Sequence, residues 1–298
     1  MTLQFPRVVV VTRPSVYEKL IQRHATLGQV RFFLESRGQS LDDVLAHHHE
    51  IENALRQVEH AIPADWRRSH AVRSDLDRFL FEPDDIVVAV GQDGLVANVA
   101  KYLKGQPVIG INPSVGHNPG ILVPHRPDQI AELLAMTDSD HLETELRTMV
   151  EARLDDGQSI VGLNEIFIGH QTHQSARYRI FWDDREERQS SSGLIIATGT
   201  GATGWAKSIH QERHSQIPLP GPTDASLAFF TREAWPSIAS GTTMTEGVFS
   251  KGEQLRVVSE MENGGVIFGD GIESDRIEWL WGQQVEIKVS KTALHLVK

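Results

Sequence analysis

The residues best suited to chemistry form a short turn, Gly91-Gln92-Asp93-Gly94. The apolar run before it, 86–90, is rich in β-branched residues, which is typical of a strand buried on both faces. The stretch after it, 95–103, has apolar residues at helical spacing and ends before Gly105, so it predicts a helix. A strand, a glycine turn and a helix in this order present backbone N–H groups to a phosphate.

Asp93 is the unusual member of this turn, because a carboxylate does not help to bind phosphate. It could instead hold Mg²⁺ or accept a proton from an attacking hydroxyl. An aspartate between two glycines is also a common turn residue that tolerates a left-handed backbone, and this explanation stays open.

Three more clusters follow later in the chain. Asn164-Glu165 opens an apolar run; Asn can donate and accept at a purine edge, and Glu can accept two ribose hydroxyls, although a polar pair at a strand start needs no ligand. A turn rich in threonine and glycine, 198–204, leads from an apolar run into Trp205, whose ring could stack on a base. Gly269-Asp270-Gly271 is typical of a tight hairpin.

Two patterns resemble known motifs whose usual function we do not assign to them. Gly199, Gly201 and Gly204 match the dinucleotide fingerprint G-x-G-x-x-G, but the acid at the required spacing, Asp224, follows a proline-rich segment where no strand can run. We interpret this turn as a small-residue loop that lets a base or phosphate approach closely. The run 47–49 contains consecutive histidines on a helix, which point about 100° apart and cannot chelate one ion together.

The order of elements predicts two domains. Residues 7–112 alternate strands and helices, which indicates a parallel α/β sheet whose site lies at the carboxyl ends of the strands. Asp93 and Asn112 would both lie there. From about residue 140, short apolar runs separated by turn residues predict an all-β sandwich. We expect an α/β domain over 1–126 and a β-sandwich domain over 127–298.

Within the first domain, helical patterns cover 15–37, 41–58 and 74–81, and Ser40 is the expected N-cap of the second of these helices. A further helix is predicted over 127–136.

Composition narrows the class of protein. The chain has 298 residues, of which 40% are hydrophobic and 23% are charged, with a net charge of −11. No basic run favours nucleic acid or an anionic membrane, and no apolar run is long enough to span a bilayer. The sequence contains no cysteine, and its start shows neither a signal nor a transit pattern. We therefore expect a cytoplasmic protein.

Taken in order, the glycine-flanked Asp93, the Asn164-Glu165 pair, the TGTG-x-x-x-W sequence from Thr198 to Trp205 and the late Asp270 resemble the NAD kinase family, most of all its mitochondrial-type branch. The resemblance implies an α/β N-terminal domain and a β-sandwich C-terminal domain with the site between them. It also implies a homodimer or higher homo-oligomer. The implied reaction transfers a phosphoryl group from ATP, with Mg²⁺, to the 2′-hydroxyl of the adenosine ribose of NAD.

The resemblance also implies residue roles. Asp93 would be the base that polarises the 2′-hydroxyl, and the amides of the turn would hold the donor phosphates. Asn164 would read the adenine edge and Glu165 a ribose, while the role of Asp270 stays open. The remaining nucleotide-binding candidates are Gly91, Gln92, Gly94, Asn112, Thr198, Thr200, Gly201, Thr203, Trp205 and Ser208.

Two residues depart from the family's Gly-Gly-Asp-Gly-Thr turn. Gln92 replaces a glycine, so its side chain could fill phosphate space and a positive φ there would be strained. Leu95 replaces the threonine and removes a hydroxyl. Alternatives to the kinase therefore stay open: a nucleotide-binding sensor without kinase activity, a lipid or sugar kinase of the same superfamily, or a Rossmann oxidoreductase. Polyphosphate is an alternative to ATP as the donor.

Overall fold

The structure, a computed structural model, describes residues 5–116, 120–138 and 142–298. The chain divides into two units: unit 1 consists of the described residues up to Glu145 together with His295–Lys298, and unit 2 consists of Leu146–Leu294. Residues 117–119, at the centre of the glycine- and proline-rich segment after Asn112, lie outside the described residues. None of the helices in the described part of the chain has the length and apolar character that a membrane crossing requires.

Unit 1 is built on a parallel sheet with the strand order β2-β1-β3-β4. The four strands are β1 (Arg7–Thr12), β2 (Arg67–Val72), β3 (Asp85–Val90) and β4 (Pro107–Ile111). The middle of β1 and all of β3 are buried, which explains their continuous apolar sequences. His295 and Leu296 pair in parallel with β4. The predicted parallel α/β sheet is thus confirmed.

The described residues of unit 1 form five α-helices beside this sheet: α1 (Val16–His24), α2 (Leu27–Glu35), α3 (Leu41–Ala61), α4 (Asp93–Ala100) and α5 (Ile130–Asp138). Side chains of α3 and α5 form one core with alternate residues of β1 and β3, among them Val58, Leu134, Val10 and Val88. α4 packs against β1, β3 and β4. As expected, Ser40 caps α3, since its Oγ accepts hydrogen bonds from the amides of Asp42 and Asp43 at 3.1 and 3.3 Å.

One segment of unit 1 predicted to be helical is divided in two, and one helix prediction was wrong. The pattern over 15–37 forms two helices, because Ala25 has a φ of 64° and Thr26 caps a new helix through the amide of Gln29. The pattern over 74–81 forms only a 3-10 turn and a loop. Leu76 is its one deeply buried hydrophobic residue and Leu80 is 85% exposed, so little apolar burial would stabilise a helix here.

Unit 2 contains two sheets that pack as a sandwich. One sheet has the order β12-β11-β10-β7-β14-β15, and the other contains β16-β13-β8-β9, with β5 paired to both β16 and β6. Their buried faces form one core, to which Ile168, Tyr178, Phe229, Val257 and Trp279 contribute. The elements are β5 (Thr144–Leu154), β6 (Ser159–Gly162), β7 (Glu165–His170), β8 (Ala176–Trp182), β9 (Arg185–Ser191), β10 (Leu194–Ala197), α6 (Trp205–Glu212), β11 (Ser226–Thr231), β12 (Glu246–Ser250), β13 (Leu255–Ser259), β14 (Gly265–Gly269), β15 (Ile272–Glu278) and β16 (Gln284–Val297).

The division between the units differs from the boundary expected after residue 126. The compact units place α5 in unit 1, because Ile130, Leu133 and Leu134 are buried in the core that α3 shares with the parallel sheet. The end of β16 also belongs to unit 1, where Val297 joins the same core.

A buried ion pair fixes the entry of β3. Asp85 is fully buried, and its carboxylate accepts from Arg7 Nε at 2.8 Å, from Arg7 Nη2 at 2.7 Å and from the amide of Glu82 at 2.7 Å. The hydrogen bond with Asp85 raises the pKa of Arg7 above its usual value. The pair joins the start of β1 to the start of β3.

We predict that Arg7→Met lowers the free energy of unfolding by about 3–5 kcal/mol, because it leaves the Asp85 carboxylate buried without its cation. Urea denaturation at neutral pH measures the change. Arg126→Met is the matched control, since Arg126 pairs with Asp128 on an exposed surface and its replacement leaves stability nearly unchanged. An Arg7→Met variant as stable as the control variant would contradict the prediction.

Candidate active site

The glycine turn, residues 91–94, joins β3 to α4. The amide of Gly91 donates to the carbonyl of Ile111 at 3.0 Å, which ties the turn to the end of β4. Gln92 has a φ of −107° and stands at the N-cap of α4, so the backbone strain considered for a non-glycine residue there is absent. A Cβ added at Gly94 would meet no atom of the described residues within 4 Å.

Asp93 is the first residue of α4, and its carboxylate is held in place by the backbone. One oxygen accepts from the amide of Ile121 at 3.0 Å, and the other accepts from the amide of Leu122 at 2.8 Å. A carboxylate offers about four acceptor positions, so both oxygens can still accept a hydrogen bond from a hydroxyl. Asp93 is therefore both an anchor for the segment after β4 and an available proton acceptor.

A small cavity of about 110 Å³ lies beside the glycine turn. Asn112, expected at this edge of the sheet, lines it; this residue is 3% exposed and its Oδ1 accepts from the amide of Ser114 at 3.0 Å. Gly91 and Gln92 line the cavity as well. Sequence reasoning missed its remaining polar lining, which comes from Arg13, Ser15, Lys19, His47 and Ser114.

The strand order explains why these residues meet. β2 lies on one side of β1 and β3 lies on the other, so the connections after β1 and β3 leave the sheet in different directions. A crevice opens at such a switch point, outside the carboxyl ends of the strands. Arg13 follows β1 directly, and this position was the available sequence signal for it.

In unit 2, the carboxylate of Asp270 organises the Asn164-Glu165 pair. Its oxygens accept from three consecutive amides: Leu163 at 2.8 Å, Asn164 at 2.7 Å and Glu165 at 3.3 Å. Asp270 has a φ of 54° in the predicted hairpin between β14 and β15. Its position therefore fixes the backbone from which the Asn164 and Glu165 side chains project.

Glu165 is the first residue of β7 and is partly buried. Burial, followed by the nearby charge of Asp270, raises its pKa to about 7. Close to neutral pH this carboxyl therefore exists in both protonation states, so it can either donate or accept a hydrogen bond.

The threonine- and glycine-rich turn packs directly on Asn164. A Cβ at Gly201 would lie 2.0 Å from the carbonyl oxygen of Asn164, so only glycine fits there. Thr198 Oγ1 donates to the carbonyl of Leu163 at 2.5 Å and accepts from the amides of Thr200 and Gly201 at 3.1 and 3.2 Å. The small residue at 201 therefore allows the backbone of Asn164 to approach closely. This differs from the sequence expectation, in which the small residues of this loop allow a ligand to approach.

The other predicted residues of unit 2 follow this turn. Thr203 Oγ1 donates to the carbonyl of Thr200 at 2.8 Å. Trp205 is 37% exposed, stacks on Phe167 with ring centroids 6.1 Å apart, and has the guanidinium of Arg232 5.1 Å from its ring. Ser208 lies one turn further along α6 and is exposed.

Thr200 has a different environment from its neighbours. Its side chain is 4% exposed, and its Oγ1 has no hydrogen-bond partner within the described part of the chain. A buried hydroxyl without a partner is unfavourable, so Thr200 Oγ1 is a candidate for a hydrogen bond that a ligand or a water would supply.

Comparison with known proteins identifies the family. An NAD kinase from Pseudomonas putida (strain W619) is 31% identical over 219 residues, which cover 69% of this chain and 71% of that protein. The chain belongs to the NAD kinase family. An NAD kinase from Chlorobaculum tepidum is 32% identical over 127 residues, and the match spans 44% of its length. No protein-family model matches the sequence.

Solved structures of NAD kinases share the fold. Yeast NADH kinase complexed with NADH matches 99% of this chain and 84% of its own with a TM-score of 0.61 at 16% identity. An NAD kinase from Archaeoglobus fulgidus in complex with ATP matches 98% of this chain and 93% of its own, with a TM-score of 0.58 at 20% identity. The predicted two-domain NAD kinase fold is confirmed by these likenesses.

We predict that Glu165→Gln stabilises the protein above pH 7. The folded state binds the Glu165 proton up to about pH 7, whereas the ordinary pKa is 4.5, so wild-type stability falls as pH rises between these values. The neutral glutamine removes this loss, a gain on the order of 3 kcal/mol above pH 7. The gain disappears below the ordinary pKa.

Urea denaturation at pH 4 and pH 8.5 measures this gain. Glu262→Gln is the matched control, because Glu262 is exposed and its replacement should change stability equally at both pH values. A difference between wild type and Glu165→Gln that is the same at both pH values would show that the carboxyl titrates normally.

Proposed function

We propose that this protein is an NAD kinase that transfers the γ-phosphoryl group of ATP to the 2′-hydroxyl of the adenosine ribose of NAD, giving NADP. The observation that carries the proposal is the Asp93 carboxylate, fixed by two amides at the carboxyl edge of a parallel sheet in a chain of this family. Phosphoryl transfer depends on such positioning and on charge stabilisation, because it needs no covalent intermediate with the protein.

In the proposed step, Asp93 accepts the proton of the 2′-hydroxyl while its oxygen attacks the γ-phosphorus. A new O–P bond forms, the bond from the γ-phosphorus to the bridging oxygen breaks, and ADP leaves with that electron pair. The proton on Asp93 then passes to water. The amides of Ile121 and Leu122 keep the carboxylate aligned throughout.

Mg²⁺ would enter this reaction together with ATP. The described residues contain no group of three or more carboxylate or imidazole ligands that could hold a metal ion. Mg²⁺ fits a site of this kind, because it keeps several waters and is usually bound by substrate phosphates with one or two carboxylates.

For the acceptor, we propose that Asn164 reads the adenine edge and that Glu165 binds a ribose. Thr200 would bind through its buried Oγ1, and Trp205 through its partly exposed ring. Thr203 and Ser208 complete the proposed set at the start of α6.

Asp270, Thr198 and Gly201 take a supporting role in this proposal. Their contacts are to the backbone of 163–165 and of the turn itself, so they orient the groups that bind the nucleotide. The amides of the glycine turn, with Asn112 beside them, would face the donor phosphates.

Three finer points belong to the same proposal. The TGTG-x-x-x-W sequence supports the mitochondrial-type branch. Exposed Trp235, Ile238 and Trp281 in unit 2 support a homo-oligomer, which light scattering would detect. A cytoplasmic location is supported by the lack of cysteine.

A second candidate function, an NAD-binding sensor of the same family, is favoured only by Gln92 and Leu95.

We predict that the purified protein forms NADP from NAD and MgATP and that Asp93→Asn lowers kcat about 10²–10⁴-fold, because the amide cannot accept the proton. A coupled dehydrogenase assay detects NADP. Asp128→Asn is the matched control on an exposed site and keeps full activity.

Because Asp93 also anchors the backbone, the melting temperature and the NAD affinity of Asp93→Asn are measured beside kcat. Retained NAD binding with lost turnover supports the base role. A wild-type protein that binds NAD but forms no NADP supports the sensor, and an Asp93→Asn variant that keeps its kcat removes Asp93 from the mechanism.

A further inference from the structure

Two guanidinium groups stand together at the carboxyl edge of the parallel sheet. Arg13 follows β1 and Arg73 follows β2, and these strands end in register, with Thr12 opposite Val72. Each guanidinium is held by a neutral amide. Arg13 Nη2 donates to Gln92 Oε1 at 2.5 Å, and Arg73 Nε donates to the Oδ1 of the buried Asn98 at 2.5 Å.

Among the described residues, these two partly buried cations have no counter-ion. Burial, and then the charge of Arg73, lowers the pKa of Arg13. In the described part of the chain, neither guanidinium has a carboxylate within ion-pair distance, whereas the buried Asp85 compensates Arg7 in the same unit. Two like charges in a partly desolvated place are unfavourable until an anion joins them.

The cavity that Arg13 lines indicates the size of that anion. At about 110 Å³ it is smaller than the 300 Å³ or more that is usual for a drug-sized ligand, so it suits a phosphate group and is too small for a whole nucleotide. Arg13, Lys19, Gly91 and Gln92 line it, and it lies at the switch point of the sheet. Arginine binds phosphate oxygens through parallel N–H donors.

Gln92 explains how Arg13 is presented to this cavity. Its own backbone is unstrained, and its side-chain oxygen is bonded to Arg13. Leu95, which stands where a hydroxyl was expected, is fully buried and contributes no donor. The two departures of the glycine turn are thus related. Leu95 removes the threonine hydroxyl, and Gln92 holds the guanidinium of Arg13 beside the same turn.

We propose that Arg13 and Arg73 form a clamp for the phosphate chain of the donor, and that Gln92 is the positioning residue of Arg13. This inference rests on the proposed kinase function, since it names the groups that recognise the donor. The clamp recognises a linear phosphate chain with or without a nucleoside, so the pyrophosphate of NAD is the competing source of the same chemistry.

The test uses inorganic tripolyphosphate as the probe, with calorimetric titration of the full-length chain. Wild type should bind tripolyphosphate, and Arg13→Gln and Arg73→Gln should each weaken that binding tenfold or more. NAD affinity should not change in either variant. Arg126→Gln, on an exposed ion pair, is the matched control and should bind tripolyphosphate as wild type does.

Thermal melting separates a clamp from a merely structural role. Without anion, Arg73→Gln should melt at or above the wild-type temperature, because it removes a like-charge contact, and tripolyphosphate should no longer raise its melting temperature. Gln92→Glu should behave in the same way, because a carboxylate then neutralises Arg13. If Arg13→Gln does not fold, these two variants still test the clamp.

Kinetics test the positioning role of Gln92. Gln92→Ala should raise the KM for ATP with the KM for NAD unchanged. The clamp would be overturned if wild type did not bind tripolyphosphate, or if wild type and all variants bound it equally. It would also be overturned if an arginine variant lost affinity for NAD and kept its affinity for tripolyphosphate. If tripolyphosphate binding depends on the two arginines but no NADP forms, the clamp is retained and the kinase function is rejected. If NADP forms and the KM for ATP is unchanged in the variants, the kinase function is retained and the clamp is rejected.

Discussion

The parallel register of β1, β3 and β4 is the constraint on which unit 1 depends. Val90 pairs with Ile111 and Val11 with Ala89, so these strands end at one edge. A glutamine after β3 can therefore reach an arginine after β1, and an asparagine after β4 can share a cavity with both. These residues are far apart in sequence, and only the hydrogen-bonded alignment of buried strands makes them neighbours.

The aspartates of the two glycine-containing turns, Asp93 and Asp270, both bind the backbone. Asp93 accepts from amides of the segment after β4, and Asp270 accepts from the amides that lead into β7. In each case a carboxylate on one element fixes a loop on another, and charge-assisted hydrogen bonds of this kind are stronger than neutral ones. Asp93 keeps its second use as a proton acceptor, whereas Asp270 also acts at a distance through its charge on Glu165.

Sequence reasoning found the elements whose local signals agree with their surroundings. β3 and the glycine turn were predicted because two-sided burial produces a continuous apolar run, and α3 because Ser40 caps a periodic helix. The break at Ala25 was missed because it contains neither glycine nor proline. β9 has no such signal, because it is a polar edge strand that pairs with β8 alone among the described strands, so burial leaves no apolar alternation in it.

For the candidate site, sequence motifs named some of the residues, but the contacts of others depend on the folded structure. The motifs named Asp93, Asn164 and Glu165, but they could not show that Thr198 and Gly201 support the chain, since close backbone approach is a property of the folded loop. Arg13 and Arg73 carry no motif. Their pairing follows from the order of strands in the sheet, which periodicity does not encode.

The last strand gives the protein a particular order of assembly. Residues His295–Lys298 belong to unit 1, although all of unit 2 precedes them in the chain. On a ribosome, the parallel sheet of unit 1 therefore has an open position beside β4 until the whole of unit 2 has been synthesised. Unit 1 therefore begins before unit 2 in the chain but is completed after it. Until then, the core of unit 1 lacks the side chain of Val297.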